Sequence, residues 1–93
     1  MDIGIPAEIK TAERRVGMTP GAAGELTARG HQVTIQTGAG EGAGFSDADY
    51  KAVGVRTVDD AEAVFDAAEM IVKVKEPQAV ERAMLKPNHT LFT

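Results

Sequence analysis

No cysteine occurs among the 93 residues, which excludes disulfide scaffolds, thiolate zinc sites and cysteine nucleophiles. Positive charge is not in surplus either. Ten Lys and Arg stand against 14 Asp and Glu, for a net charge of -4. Nucleic-acid binders draw on a basic surplus or stripe, so that class is set aside. No apolar run approaches the roughly 18 residues that a bilayer span requires. The opening Met1-Asp2-Ile3-Gly4-Ile5 has neither the basic start nor the apolar core of a signal peptide. Two isolated histidines do not make a metal site. What remains is room for one acidic domain, 1–93, expected to be cytoplasmic. Its core is modest, because a chain this short buries only about 60–65% of its unfolded surface.

What is present is an alternation of short β-like runs and helical patterns. Ile3-Gly4-Ile5 reads as a first strand closed by Pro6. Thr19-Pro20 is an N-cap followed by proline at the first helical position. The helix it opens carries Ala22, Ala23 and Leu26 inward and stops at Gly30. Val33-Thr34-Ile35 is the second strand, followed by the glycine cluster Gly38 to Gly44. Ser46 and Asp47 cap a short helix ending near Gly54, and Val55 to Val58 is a weak strand. Asp59 or Asp60 caps a helix whose Ala61, Val64, Phe65 and Ala68 share one face. Met70 to Lys75 reads as the strongest strand, and Pro77 opens a helix with Val80, Ala83 and Met84 on its apolar face. Thr90-Leu91-Phe92-Thr93 begins one further strand. Strands separated by helices predict βαβ units, hence an α/β, Rossmann-like parallel sheet flanked by helices. Its crevice would lie beyond the carboxyl ends of the strands. Because the last strand has no loop after it, the sheet is expected to be incomplete at its C-terminus and the chain to be part of something longer.

Several groups compete for chemistry. The glycine cluster follows a strand and precedes a helix, with Asp59 and Asp60 about 20 residues on, as a dinucleotide fingerprint asks. The short helix and the second-strand position count against it, and tight-turn glycines are the plainer reading. Arg14 and Arg15 follow the first strand, where a guanidinium fork suits a carboxylate or phosphate. The alternative for them is a solvated pair or a salt bridge to Glu8 or Glu13. Lys73 and Lys75 are unusual in a strand covered on both faces. Lysine guarding an edge strand is the ordinary explanation. Lys75, at the strand's carboxyl end, can equally present its ammonium to a substrate, whereas Lys73 reads as structural. His31 and His89 both precede strands, at the wrong end for a crevice, and read as surface residues. Met18, Met70 and Met84 read as core filler.

Taken in order, Ile3-Gly4-Ile5-Pro6-Ala7-Glu8-Ile9-Lys10, Glu13-Arg14-Arg15-Val16, Thr19-Pro20, Gly30-His31, Thr37 to Asp47, Ile71 to Pro77 and Leu91-Phe92-Thr93 form a recognisable series. The series resembles the N-terminal, substrate-holding domain of the alanine dehydrogenase family. More distantly it resembles the α subunit of the proton-translocating NAD(P) transhydrogenases. The resemblance implies interconversion of L-alanine with pyruvate and ammonia, using NAD bound by a separate domain. It implies that Arg15 clamps the substrate carboxylate and that Lys75 hydrogen-bonds and polarises the keto acid as a catalytic group. It makes Gly38 to Gly44 a turn, with no cofactor-binding residue in this chain.

The catalytic histidine of that family would follow the strand Leu91-Phe92-Thr93, so the chain by itself is expected to be inactive. An uncovered sheet edge or helix face, with self-association or homo-oligomer formation through it, is also expected. Two other readings stay open: a transhydrogenase-like domain without an amino-acid substrate, and a non-catalytic Rossmann-like binding or interaction module. A phosphorylated receiver fits the latter poorly, since Pro6, Ala7 and a single Glu8 stand where acidic residues would be needed.

Overall fold

The computed structural model describes residues 1–93. Five strands form one sheet: β1 (Asp2–Ile5), β2 (Gln32–Gln36), β3 (Arg56–Val58), β4 (Met70–Val72) and β5 (Thr90–Phe92). Four α-helices connect them: α1 (Pro20–Ala28), α2 (Asp47–Lys51), α3 (Ala61–Ala67) and α4 (Ala79–Arg82). The spatial order is β3-β2-β1-β4-β5, and every pairing is parallel. This is the doubly wound α/β arrangement that the alternation of elements predicts.

Side-chain alternation along the strands builds two cores on opposite faces. Ile3 and Ile5 of β1, Val33 and Ile35 of β2 and Val72 of β4 pack with Ala23 of α1 and Tyr50 of α2. On the other face Phe65, Ala68 and Ile71 cluster with Met84 and Leu85. The connections through α1 and α2 therefore run along one face and those through α3 and α4 along the other. The winding reverses between β1 and β4, and it is at the carboxyl ends of such a pair that folds of this kind place their crevice.

Local signals hold at the helix starts. Thr19 accepts the Ala22 N–H with Pro20 in the first turn, and Asp60 rather than Asp59 caps α3 through the Ala63 N–H. Ser46 and Asp49 exchange hydrogen bonds in a capping box that starts α2.

Three expectations need correction. Ala22 is exposed, so α1 buries Ala23 and half-buries Leu26 but turns Ala22 towards an open groove. Val80 and Ala83 are exposed and the buried residue of α4 is Glu81, so the helix does not carry the apolar face its periodicity implied. The strand β4 ends at Val72 instead of Lys75, for a reason that lies in the loop after β1. Met18, Met70 and Met84 do pack against the two cores.

His89 is half-buried, not a free surface group. Its Nε2 lies 2.8 Å from the Phe65 carbonyl, and its Nδ1 accepts the Lys86 N–H at 2.9 Å. With Nδ1 accepting, Nε2 carries the proton and donates it. An apolar groove lined by Ile3, Val16, Met18, Leu26, Val72 and Phe92 lies open on the α1 face.

Candidate functional site

Residues 6–19 join β1 to α1 and lie beside residues 73–78, which join β4 to α4, because β1 and β4 are neighbours in the sheet. Two carboxylates of the first loop organise the crevice. Glu8 Oε2 accepts the Val74 N–H at 3.0 Å, and Glu8 Oε1 accepts the Lys75 N–H at 3.1 Å. The ladder ends with Lys73 N–H donating to Phe92 at 2.9 Å. Beyond it, a side-chain carboxylate takes over the backbone donors that another strand residue would have bound. That exchange is why β4 stops early.

The Lys73 ammonium is the counterion of this arrangement. It donates to Glu8 Oε1 at 3.2 Å and lies 2.8 Å from Glu81 Oε2, an ion pair in which that oxygen accepts no hydrogen bond. All three side chains are at most 2% exposed. Glu81 Oε1 also accepts the Gln78 N–H at 2.9 Å, closing the start of α4. Lys73 is thus structural, as its position implied, but the edge-strand explanation is wrong, since β4 lies between β1 and β5. A buried lysine requires carboxylate partners. Glu8 and Glu81 supply them from 65 residues up the chain and from the next helix.

The second carboxylate is Glu13. A turn places it, with its N–H donating to the Lys10 carbonyl at 3.0 Å and Ala12 held at φ 66°. Arg15 grips it through Nε and Nη2, each at 3.0 Å, and the Arg15 backbone N–H adds a third bond at 2.9 Å. Lys75 Nζ approaches the same carboxylate at 4.0 Å. The Glu13 side chain is 6% exposed, against 67% for Arg15 and 41% for Lys75. The hydrogen bonds from the Arg15 side chain, then from its backbone, hold the Glu13 carboxyl down at about 2. The same partner raises the Arg15 pKa further, so the guanidinium stays charged. Lys10 pairs with Glu76 at the outer rim and lowers its pKa through a hydrogen bond.

Arg15 and Lys75 are therefore gathered around one carboxylate with their outer faces in solvent. The salt-bridge alternative considered for Arg15 is realised, with Glu13 as the partner. Arg14 takes part in no ion pair within 4.0 Å and its backbone lies against the glycine loop. Glu81 is the member that the sequence did not single out, and Glu8 and Glu13 were named only as possible partners of the arginines. The one signal for Glu81 was the pair of lysines needing counter-charges.

The glycine loop is packed against the chain's own atoms. A Cβ at Gly40 would lie 2.6 Å from the Tyr50 ring, and one at Gly42 would lie 2.9 Å from the Arg14 carbonyl. The space those glycines clear is filled by the protein itself. The Gly38 N–H is taken by Asp47, and Glu41 and Asp49 stand in the first turns of the two helices that follow. Tyr50, buried below, donates to the Met18 carbonyl at 2.9 Å, and burial pushes its hydroxyl up to about 12. His31 lies at the amino end of β2, 3.3 Å from the Met1 amino group and remote from the crevice. No group of His, Asp and Glu with metal-ligand geometry is present, and no helix is long and apolar enough to cross a membrane.

Residues 4–93 match the family described as alanine dehydrogenase/PNT, N-terminal domain. The chain belongs to this family. It is 56% identical over all 93 residues to an alanine dehydrogenase of Halomonas elongata and 50% identical to one of Mycolicibacterium smegmatis. In both cases it spans 25% of the relative. An NAD(P) transhydrogenase subunit alpha of Cereibacter sphaeroides is 46% identical, and the chain covers 18% of it. Among solved structures, an L-alanine dehydrogenase superposes with a TM-score of 0.94 at 44% identity, over 98% of this chain and 25% of that one. A transhydrogenase from Sinorhizobium meliloti superposes at 0.89 with 26% identity, over 98% of this chain and 26% of that one. The chain thus spans about a quarter of the length of the alanine dehydrogenases it matches. Family membership fixes the topology of the crevice between β1 and β4; it does not by itself assign the side chains there.

Proposed function

We propose that residues 1–93 are the substrate-holding portion of an alanine dehydrogenase, and that the crevice between β1 and β4 takes a small keto acid, pyruvate, and its amino-acid counterpart, L-alanine. The observation that carries the reading is the convergence of Arg15 and Lys75 on one carboxylate, within 3.0 and 4.0 Å. A site that holds a side-chain carboxylate between two cations has the chemistry to hold a substrate carboxylate beside it. Arg15 keeps Nη1 free of Glu13 and offers it to the substrate carboxylate. Lys75 donates from its ammonium to the keto oxygen, drawing electron density from the carbonyl carbon that ammonia and hydride must reach. Glu8 fixes the backbone from which Lys75 projects. A nicotinamide cofactor bound to the full enzyme would supply the hydride chemistry, and none of the 93 residues is proposed to hold it. Neither histidine is bonded to Arg15 or Lys75 to carry a proton there, and the 93 residues alone are expected to turn over nothing.

The test is a titration of isotope-labelled chain with pyruvate, and separately with NADH, followed by amide chemical shifts. Pyruvate is expected to move Arg15 and Lys75 while NADH moves nothing, and Arg15→Ala or Lys75→Ala is expected to abolish the pyruvate response. Shifts at Gly38 to Gly44 with NADH would restore the dinucleotide reading. The 46% identity to a transhydrogenase subunit supports a second reading, in which the domain takes no keto acid. A chain that keeps its fold yet is silent to pyruvate would favour it.

A further inference from the structure

The crevice carries an uneven balance of charge. Arg15 and Lys75 contribute two positive charges and Glu13, held between them, one negative charge. Beneath them, Glu8, Lys73 and Glu81 add a buried net negative charge, because one ammonium serves two carboxylates. Lys10 and Glu76 at the rim cancel one another, and Arg14 joins none of these pairs. The exposed site around Arg15 and Lys75 is left with a single unit of positive charge.

We propose that Glu13 is a specificity-determining residue that restricts the crevice to monocarboxylate keto acids. This rests on the keto-acid reading above. One substrate carboxylate neutralises the charge that Glu13 leaves uncompensated. A second carboxylate, as in a 2-oxo diacid, would find Arg15 and Lys75 already engaged by the first and would face Glu13 itself. Glu13 is suited to the task because its own position cannot relax. Three hydrogen bonds from Arg15 and the turn at Ala12 pin it, and its side chain is 6% exposed, so solvent screens it less than a surface carboxylate. Its carboxyl is held at about 2, so the charge is present throughout the neutral range.

The experiment compares pyruvate with 2-oxoglutarate on the chain and on Glu13→Gln, using amide shifts at Arg15 and Lys75 to obtain both affinities. The unsubstituted chain is expected to prefer pyruvate. Glu13→Gln is expected to shift the ratio towards 2-oxoglutarate by about tenfold, the scale of removing one unit charge from a partly solvated site. Glu13→Asp keeps the charge and is expected to keep the preference, which separates charge from shape and shows that an acidic side chain there is compatible with the fold. A ratio unchanged in Glu13→Gln, with pyruvate still bound, overturns the role of Glu13 and leaves the keto-acid site intact. Pyruvate failing to bind the unsubstituted chain overturns both.

Discussion

At the scale of single residues, ion pairing decides which charges the crevice presents. Glu13 differs from an ordinary surface glutamate because Arg15 satisfies both of its oxygens, and its carboxyl falls from 4.5 to about 2. A group with a depressed native pKa contributes stability that is fully present above its unfolded value and is lost as pH falls towards the native one. The Glu13 contacts therefore contribute in full above pH 4.5 and fade between there and about 2. A carbon-detected titration of the Glu13 carboxyl is expected to give a midpoint near 2. A midpoint at the ordinary glutamate value would mean that Arg15 does not hold it in solution. The residue types at Arg15 and Lys75 were legible in the sequence because both follow strands that end at the crevice. Glu13 was legible only as a possible partner, since nothing local shows which of several acids a guanidinium will choose.

At the scale of elements, the buried Glu8–Lys73–Glu81 group ties β4 and α4 to the loop after β1. Its stabilising value is not the sum of its ion pairs, because desolvating three charges offsets much of their attraction. Removing the central cation is another matter. Lys73→Met would leave two buried carboxylates with no counter-charge, and it is expected to cost about 3–5 kcal/mol, seen as a lowered midpoint in urea unfolding. A loss under about 1 kcal/mol would show that water reaches Glu8 and Glu81 and that the group is not closed. The same cluster explains two misread elements. Helical periodicity gave α4 an apolar face through Val80 and Ala83, but Lys73 requires Glu81 inward, and the helix is turned accordingly. Alternation extended β4 to Lys75, but Glu8 captures the donors that would have continued it. Both errors come from partners 66 and 67 residues away or on another element, which no local window contains.

At the scale of the whole molecule, the sheet ends in an edge strand, β5, whose residues are all exposed, with Phe92 at 64%. Next to it lies the apolar groove of Val16, Met18, Leu26 and Val72. An unpaired strand edge beside an apolar surface favours pairing with a second copy. Sedimentation is expected to show association that rises with concentration and that Phe92→Lys reduces. A monomer at every concentration would mean that the twist and shortness of β5 protect the edge unaided.

The sequence by itself determined the order of strands and helices, the caps at Thr19 and Ser46 and a choice of Asp59 or Asp60 for α3, and hence the parallel doubly wound sheet, since these depend on neighbours within a few residues. It also pointed to the carboxyl ends of β1 and β4 as the place for chemistry. Tertiary structure alone decided that Lys73 is buried while Lys75 stays half open, that Tyr50 fills the space cleared by Gly40, and that one carboxylate, Glu13, lies between Arg15 and Lys75. The physical reason is the reach of charge and volume. A buried ion or ring must be met from whichever element the fold brings beside it, and the chain does not record that meeting locally.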